Sequence, residues 1–179
     1  DATRSVSRGV AIDYYLKQAA DKVTIDILDA QGAPITTFTG TSAPEPPAGR
    51  GGAPAGEGDE EGGGRGGPPP RVSVKQGMNR FTWDMRYPNA RDFPGLIMWA
   101  GSTRGPLAPP GRYQVKLSAA GVEKTQDFLI NRNAAVGTVT DADLVEQFKL
   151  AKAINDKVTV ANDAVIRIRN LKTQISDRV

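Results

Sequence analysis

Gly77-Met78-Asn79-Arg80-Phe81-Thr82-Trp83-Asp84-Met85-Arg86-Tyr87-Pro88 concentrates more aromatic and cationic chemistry than any other run of the chain. Phe81, Trp83 and Met85 alternate with Arg80, Thr82, Asp84 and Arg86. That is the period of a half-buried strand, because successive side chains leave a pleated backbone on opposite faces. Pro88 has no amide hydrogen to give a ladder, so regular pairing is expected to stop there. The stretch predicts a strand at the heart of a small β-sandwich, with Trp83 in the core and Asp84 ion-paired with Arg86 and Arg80.

Working outward, the same period recurs on both sides. Val10, Ile12, Tyr14 and Leu16 share one face of an upstream strand, and Val23, Ile25 and Ile27 share one face of the next. Asp29-Ala30-Gln31-Gly32 is a turn: Asp accepts from backbone amides at its start and Gly tolerates positive φ at its end. Pro34 to Phe38 then returns, making a hairpin. Downstream, Val72 and Val74 resume order, and Leu96-Ile97-Met98-Trp99 is a short apolar run, either a buried strand or a loop folded over the core. Pro110-Gly111 suits a type II turn. Tyr113, Val115 and Leu117 point inward from a strand, Ala120-Gly121 turns the chain, and Phe128 and Ile130 face inward from the last strand. Seven or eight short strands with turn signals between them predict an antiparallel sandwich over residues 10–132, after a polar lead-in at 1–9.

Residues 40–71 interrupt this pattern. Gly, Pro, Ala and Glu dominate, and no large apolar side chain occurs, so burial cannot offset the entropy of ordering. A flexible insertion between strands is expected. Arg50-Gly51-Gly52 and Arg65-Gly66-Gly67 are of a type found in RNA-binding repeats, but Glu57, Asp59, Glu60 and Glu61 would repel a phosphate backbone. Gly62-Gly63-Gly64 lacks the Lys-Ser/Thr of a phosphate-binding loop.

Past a linker at 133–139, a long amphipathic helix is expected over 140–179. Thr140 is a good N-cap, with Asp141, Asp143 and Glu146 in the first turns, where the helix dipole favours anions. Leu144, Phe148, Ala151, Ile154, Val158, Ala161, Val165, Ile168, Leu171 and Ile175 recur at spacings of three and four. Asp163 is spaced to pair with Arg167, and Arg167, Arg169 and Lys172 complement the dipole near the helix end. One such helix cannot bury this stripe against a sandwich, so it is expected to be half of a helical hairpin or bundle completed by a second helix.

Composition narrows the chemistry. The chain of 179 residues has no Cys and no His. Disulfides, thiolate metal sites and His-dependent catalytic triads are therefore excluded for this chain alone. The net charge of +3 is interspersed rather than gathered on one face, which argues against nucleic acid as a partner. No apolar run is long enough to span a bilayer. The absence of an initiating Met suggests a processed chain or a piece of a longer one. Asp141 and Asp143 resemble the start of a calcium loop, but the Gly and the bidentate Glu do not follow. No cofactor site is expected.

Three segments carry a resemblance. Val23-Thr24-Ile25-Asp26-Ile27-Leu28-Asp29-Ala30-Gln31-Gly32, Asn79-Arg80-Phe81-Thr82-Trp83-Asp84 and Pro109-Pro110-Gly111-Arg112-Tyr113-Gln114-Val115 resemble the FlgD-type immunoglobulin-like domain. The longer run from Trp83-Asp84-Met85-Arg86-Tyr87-Pro88 through Phe93-Pro94-Gly95 and Trp99-Ala100-Gly101 to Gly105-Pro106-Leu107-Ala108-Pro109-Pro110-Gly111 is similar to the C-terminal region of bacterial sortilin-type β-propeller proteins. Those proteins carry BNR/Asp-box repeats and are often labelled glycosyl hydrolases. The helical tail from Thr140 is also similar to theirs. The propeller and its Ser-x-Asp-x-Gly-x-Thr-Trp boxes are absent here, so hydrolase activity does not carry over to these residues. The resemblance implies a secreted or periplasmic setting and a non-catalytic C-terminal module.

The expected function is that of an accessory or assembly module, docking on a β-propeller of the same parent protein or on another protomer and joining its helix to a second one. The alternatives are a carbohydrate-binding module and a fragment of a glycoside hydrolase with catalysis elsewhere. The first alternative would use Trp99, Tyr87 and Phe93, with polysaccharide as partner. Trp83 and Trp99 are otherwise expected in the core. Asp84 with Asp92, or Asp13 with Asp26, could form a glycosidase carboxylate pair, but turn capping and solvated strand surface are the expected roles, since nothing in the sequence gives them a perturbed environment.

Overall fold

The computed structural model describes residues 9–42, 71–99, 101–133 and 137–177. Among them are six strands and one helix: β1 (Val10–Leu16), β2 (Lys22–Leu28), β3 (Pro34–Thr41), β4 (Gly77–Trp83), β5 (Gly111–Ala119), β6 (Val122–Ile130) and α1 (Asp141–Ser176). β1 and β4 form a two-stranded antiparallel sheet, and the other four form an antiparallel sheet in the order β3-β2-β5-β6.

The inward row of β2, Val23, Ile25 and Ile27, has no solvent exposure at all. Burying each such side chain contributes about 1.5–3 kcal/mol. Facing it from β4 are Phe81 and Trp83, and Tyr14 and Leu16 from β1 close the layer. Trp83 lies at the centre, its ring 6.1 Å from Tyr113 and 6.2 Å from Phe128, while Phe38 of β3 lies 4.7 Å from Phe81. The inward rows of both sheets therefore meet as the alternation requires, in the manner of a β-sandwich.

Turn chemistry follows the sequence in two of three places. Asp29 Oδ1 accepts from the Gln31 and Ala33 amides at 2.9 and 2.8 Å, and Gly32 has φ of 83°. Ala120 and Gly121 join β5 to β6 with φ of 48° and 78°, both in the left-handed region that a two-residue hairpin turn needs. Pro110-Gly111 is not the expected type II turn. Gly111 is absent from the residues with positive φ and opens β5, paired with Ile130.

Other expectations need correction. Leu96–Trp99 is not a strand, and the described residues hold six strands rather than the expected seven or eight. β3 runs through Gly40 and Thr41, which the composition had assigned to the insertion. Gly40 is required there because a Cβ would collide with the Val72 carbonyl. The rest of the expected insertion, residues 43–70, lies outside the described residues, as do residues 1–8 and part of the linker. β4 stops at Trp83 rather than at Pro88, because Met85 takes φ of 59° and the chain turns. Asp84 Oδ1 accepts from the Arg86 amide at 3.1 Å, and the Trp83 indole donates to the Arg86 carbonyl at 3.1 Å. Both bonds close the turn that ends the strand.

Candidate interaction surface

After that turn the chain builds an arm from residues 84–109. Tyr87 N donates to Pro106 O at 2.9 Å, Ala90 N to Thr103 O at 2.7 Å and Ala108 N to Met85 O at 2.7 Å. Arg86 and Leu107 form an isolated antiparallel bridge. The Arg86 guanidinium donates to Gly105 O at 2.7 Å, and Gly105 N donates to Asn89 Oδ1 at 2.9 Å. A Cβ on Gly105 would collide with the Tyr87 carbonyl, so this crossing requires glycine. Burial lowers the Arg86 pKa, the Arg104 cation adds to that, and Asp84 opposes it.

Helix α1 lies on this arm. No strand Cα comes within 8 Å of a helix Cα among the described residues. The seat is mostly polar. Asn162 is 7% exposed and is the buried residue of the helix; its Nδ2 donates to Arg91 O at 2.6 Å. The Arg91 amide donates to Thr159 Oγ1 at 3.2 Å, and its guanidinium meets Asp163 at 3.1 Å. Arg169 donates to Pro94 O at 2.9 Å and sits 4.5 Å from the Phe93 ring centroid. Tyr87 and Phe148 supply the apolar anchor, with ring centroids 4.7 Å apart. A polar cleft of about 260 Å³ opens between arm and helix, lined by Tyr87, Asn89, Asn155 and Thr159 among others.

The helix begins as its sequence predicts. Thr140 caps Asp143 N at 3.2 Å while the Asp143 carboxylate accepts from Thr140 N at 2.8 Å, a complete capping box. The hydrogen bonds from Thr140 hold the Asp143 carboxyl below its usual range. Elsewhere the charges differ from expectation. Asp163 pairs with Arg91 rather than Arg167, the last turn carries no base, and Asp156 pairs with Lys152 at 2.9 Å.

The apolar stripe of α1 divides in two. Leu144, Phe148, Ala151, Val158 and Val165 are half-buried, on or beside the docked face. Ile154, Ala161, Ile168, Leu171 and Ile175 are exposed, as is Leu150, which the sequence reading did not include. The sequence pattern places both sets on one stripe, because spacings of three and four do not say which part of it the arm covers. Leu150 belongs to the outward row through its spacing of four to Ile154, a signal legible in the sequence.

The aromatic side chains do not assemble into a platform. Trp83 is fully buried, Tyr87 is against Phe148 and Phe93 is under Arg169. Trp99, expected in the core, is instead 94% exposed on the arm, and no ring contact joins it to Tyr87 or Phe93 among the described residues. The arm's hydrogen bonds hold its two legs together and leave the 96–99 tip outside them.

The carboxylates are likewise engaged. Asp13 receives a bidentate pair of bonds from Arg80 at 2.6 and 2.8 Å, which holds its carboxyl below the usual range. Arg80 therefore pairs with Asp13 across the β1–β4 ladder, not with Asp84 as expected. Asp84 lies 3.8 Å from Arg104, and Asp26 accepts from Thr37 at 2.6 Å. Asp92 accepts from the adjacent Phe93 amide at 2.7 Å. No group of three or more acidic side chains arranged to hold a metal occurs among the described residues. Among the described residues no helix is long and apolar enough to cross a membrane.

These features define a mostly β protein of two antiparallel sheets, carrying one long C-terminal helix seated on an inter-strand arm. Compared with protein-family models, with curated proteins and with solved structures, the chain matches none.

Proposed function

We propose that this chain is a non-catalytic assembly module of a larger secreted or periplasmic bacterial β-propeller protein, working by protein–protein packing. On this reading the sandwich is immunoglobulin-like, of the FlgD type, and docks on the propeller or on a neighbouring protomer. The single observation that carries it is the outward row of α1, where Ile154, Ile168, Leu171 and Ile175 are each more than half exposed. Apolar side chains aligned along one helix face favour a partner surface over water. The sequence resemblance supplies the propeller and the compartment.

The natural polypeptide, detected with an antibody to this chain, is expected to be far heavier than 19.0 kDa and to be exported. A free polypeptide of this mass retained in the cytoplasm overturns the reading.

Trp99 supports a second reading, a carbohydrate-binding module, because its indole is 94% exposed. It would act without Tyr87, which is occupied by Phe148. Titration with polysaccharides, followed by tryptophan fluorescence, distinguishes the two. Saturable quenching lost in Trp99→Ala establishes carbohydrate binding; an unchanged signal leaves packing as the function. The third reading, a fragment of a glycoside hydrolase, places catalysis in residues outside this chain.

A further inference from the structure

The outward face of α1 has a stricter repeat than the stripe seen from sequence. Gln147, Ile154, Ala161, Ile168 and Ile175 recur every seven residues, and Leu150, Lys157, Ala164 and Leu171 recur every seven between them. All nine are exposed. Alternating steps of three and four are the a/d seam of a two-stranded coiled coil. The arm occupies the opposite side of the helix, through Phe148, Asn155, Thr159 and Asn162, and leaves this seam unobstructed.

We propose that the seam is covered by α1 of a second copy of this chain, running antiparallel. Three observations select that occupant. The first is charge. From Asp141 to Phe148 the helix carries Asp141, Asp143 and Glu146 and no base; from Ala164 to Ser176 it carries Arg167, Arg169 and Lys172 and no acid. Antiparallel pairing sets each acidic end against a basic end, and opposes the two helix dipoles. Parallel pairing stacks like on like.

The second is Lys157. A parallel, in-register pair would place two Lys157 ammonium groups in one layer of the seam, where like charges lose their water. In the antiparallel register centred near Thr159, Lys157 faces Ala161 of the second copy, and its stem can run past that small side chain to water. The third is size. The same register sets the two small residues of the seam, Ala161 and Ala164, against the larger Lys157 and Ile154 in the central layers, with Leu150 on Ile168 and Gln147 on Leu171 outside them. Its centre falls at the middle of a helix that runs from Asp141 to Ser176, so both ends overlap fully.

This inference rests on the packing reading above and narrows its partner. The chain has no cysteine, so introduced ones report cleanly. The intact chain is expected to sediment as a dimer at micromolar concentration. Ile154→Lys places an unpaired ammonium in each half of the seam and is expected to raise the dissociation constant at least about a hundredfold. At dilutions where both chains are monomeric its helicity and unfolding midpoint should match the unsubstituted chain's, because Ile154 is exposed on the face away from the arm. A mixture of Leu150→Cys and Ile168→Cys is expected to oxidise to a mixed disulfide dimer, and Leu150→Cys alone to remain unlinked. A homodimeric disulfide from Leu150→Cys overturns the antiparallel assignment. A chain that stays monomeric at hundreds of micromolar overturns self-pairing altogether, and it does so without altering the mass of the natural polypeptide. Conversely, a free 19.0 kDa chain that dimerises sinks the accessory role and leaves self-pairing standing.

Discussion

Trp83 is the residue on which the two sheets converge. It is fully buried, contacts aromatic rings from β5 and β6, and spends its indole hydrogen on the Arg86 carbonyl. Trp83→Ala is expected to lower stability by about 3–5 kcal/mol, read from urea unfolding, since it removes both the packing and the bond that ends β4. Tyr113 offers a test by titration. Burial, with Tyr87 and Asp29 adding to it, pushes its phenol up to about 12, and the hydroxyl donates to Pro109 O at 2.8 Å. A raised folded-state pKa means the folded chain holds its proton longer than the unfolded one. The Tyr113 contribution is therefore complete below about pH 10 and lost between about pH 10 and 12. Tyrosinate absorbance followed alongside unfolding should show Tyr14, Tyr87 and Tyr113 all titrating above the ordinary range, with the latest step lost in Tyr113→Phe.

At the scale of elements, the strands were legible because period-two alternation and turn residues act locally. β1, β2 and β6 carry the inward rows their sequences announce, and the hairpin turn at Asp29 forms by the bonds its residues suggest. The helix start is legible for the same reason. Thr140→Ala is expected to cost about 1 kcal/mol. The Asp143 half of the box has a lowered folded pKa, so its contribution is present above the ordinary carboxylate range and is lost as pH falls through the folded value. A fall in helicity on acidification, reduced in Asp143→Asn, checks this sign. Leu96–Trp99 misled because a short apolar run satisfies both a buried strand and an exposed loop tip. Only the arm's long-range hydrogen bonds decide between them.

For the molecule as a whole, the unusual joint is the one between arm and helix. Most of it is polar: Asn162 on the Arg91 carbonyl, Arg91 on Asp163, and Arg169 on Pro94. Asn162→Ala removes the bond to that carbonyl and is expected to weaken docking by about 0.5–1.5 kcal/mol. Hydrogen exchange should then rise across residues 155–170 and the arm while β2 and β5 stay protected. A uniform loss of protection would mean that helix and sandwich unfold as one unit. A polar seat also explains why the apolar row is left facing out: the arm offers carbonyls and charges, which Asn and Arg satisfy better than Ile or Leu.

The sequence by itself determined the strand faces, the Asp29 turn, the cap of α1 and the burial of Trp83, because each follows from periodicity or from bonds spanning a few residues. Tertiary structure alone decided the partners of Asp13, Asp163 and Arg169, the exposure of Trp99 and which half of the helix stripe is covered. Those outcomes depend on residues about 70 positions apart meeting across the β1–β4 ladder or between arm and helix. Local pattern holds no information about such a meeting, since its geometry exists only once the arm has closed.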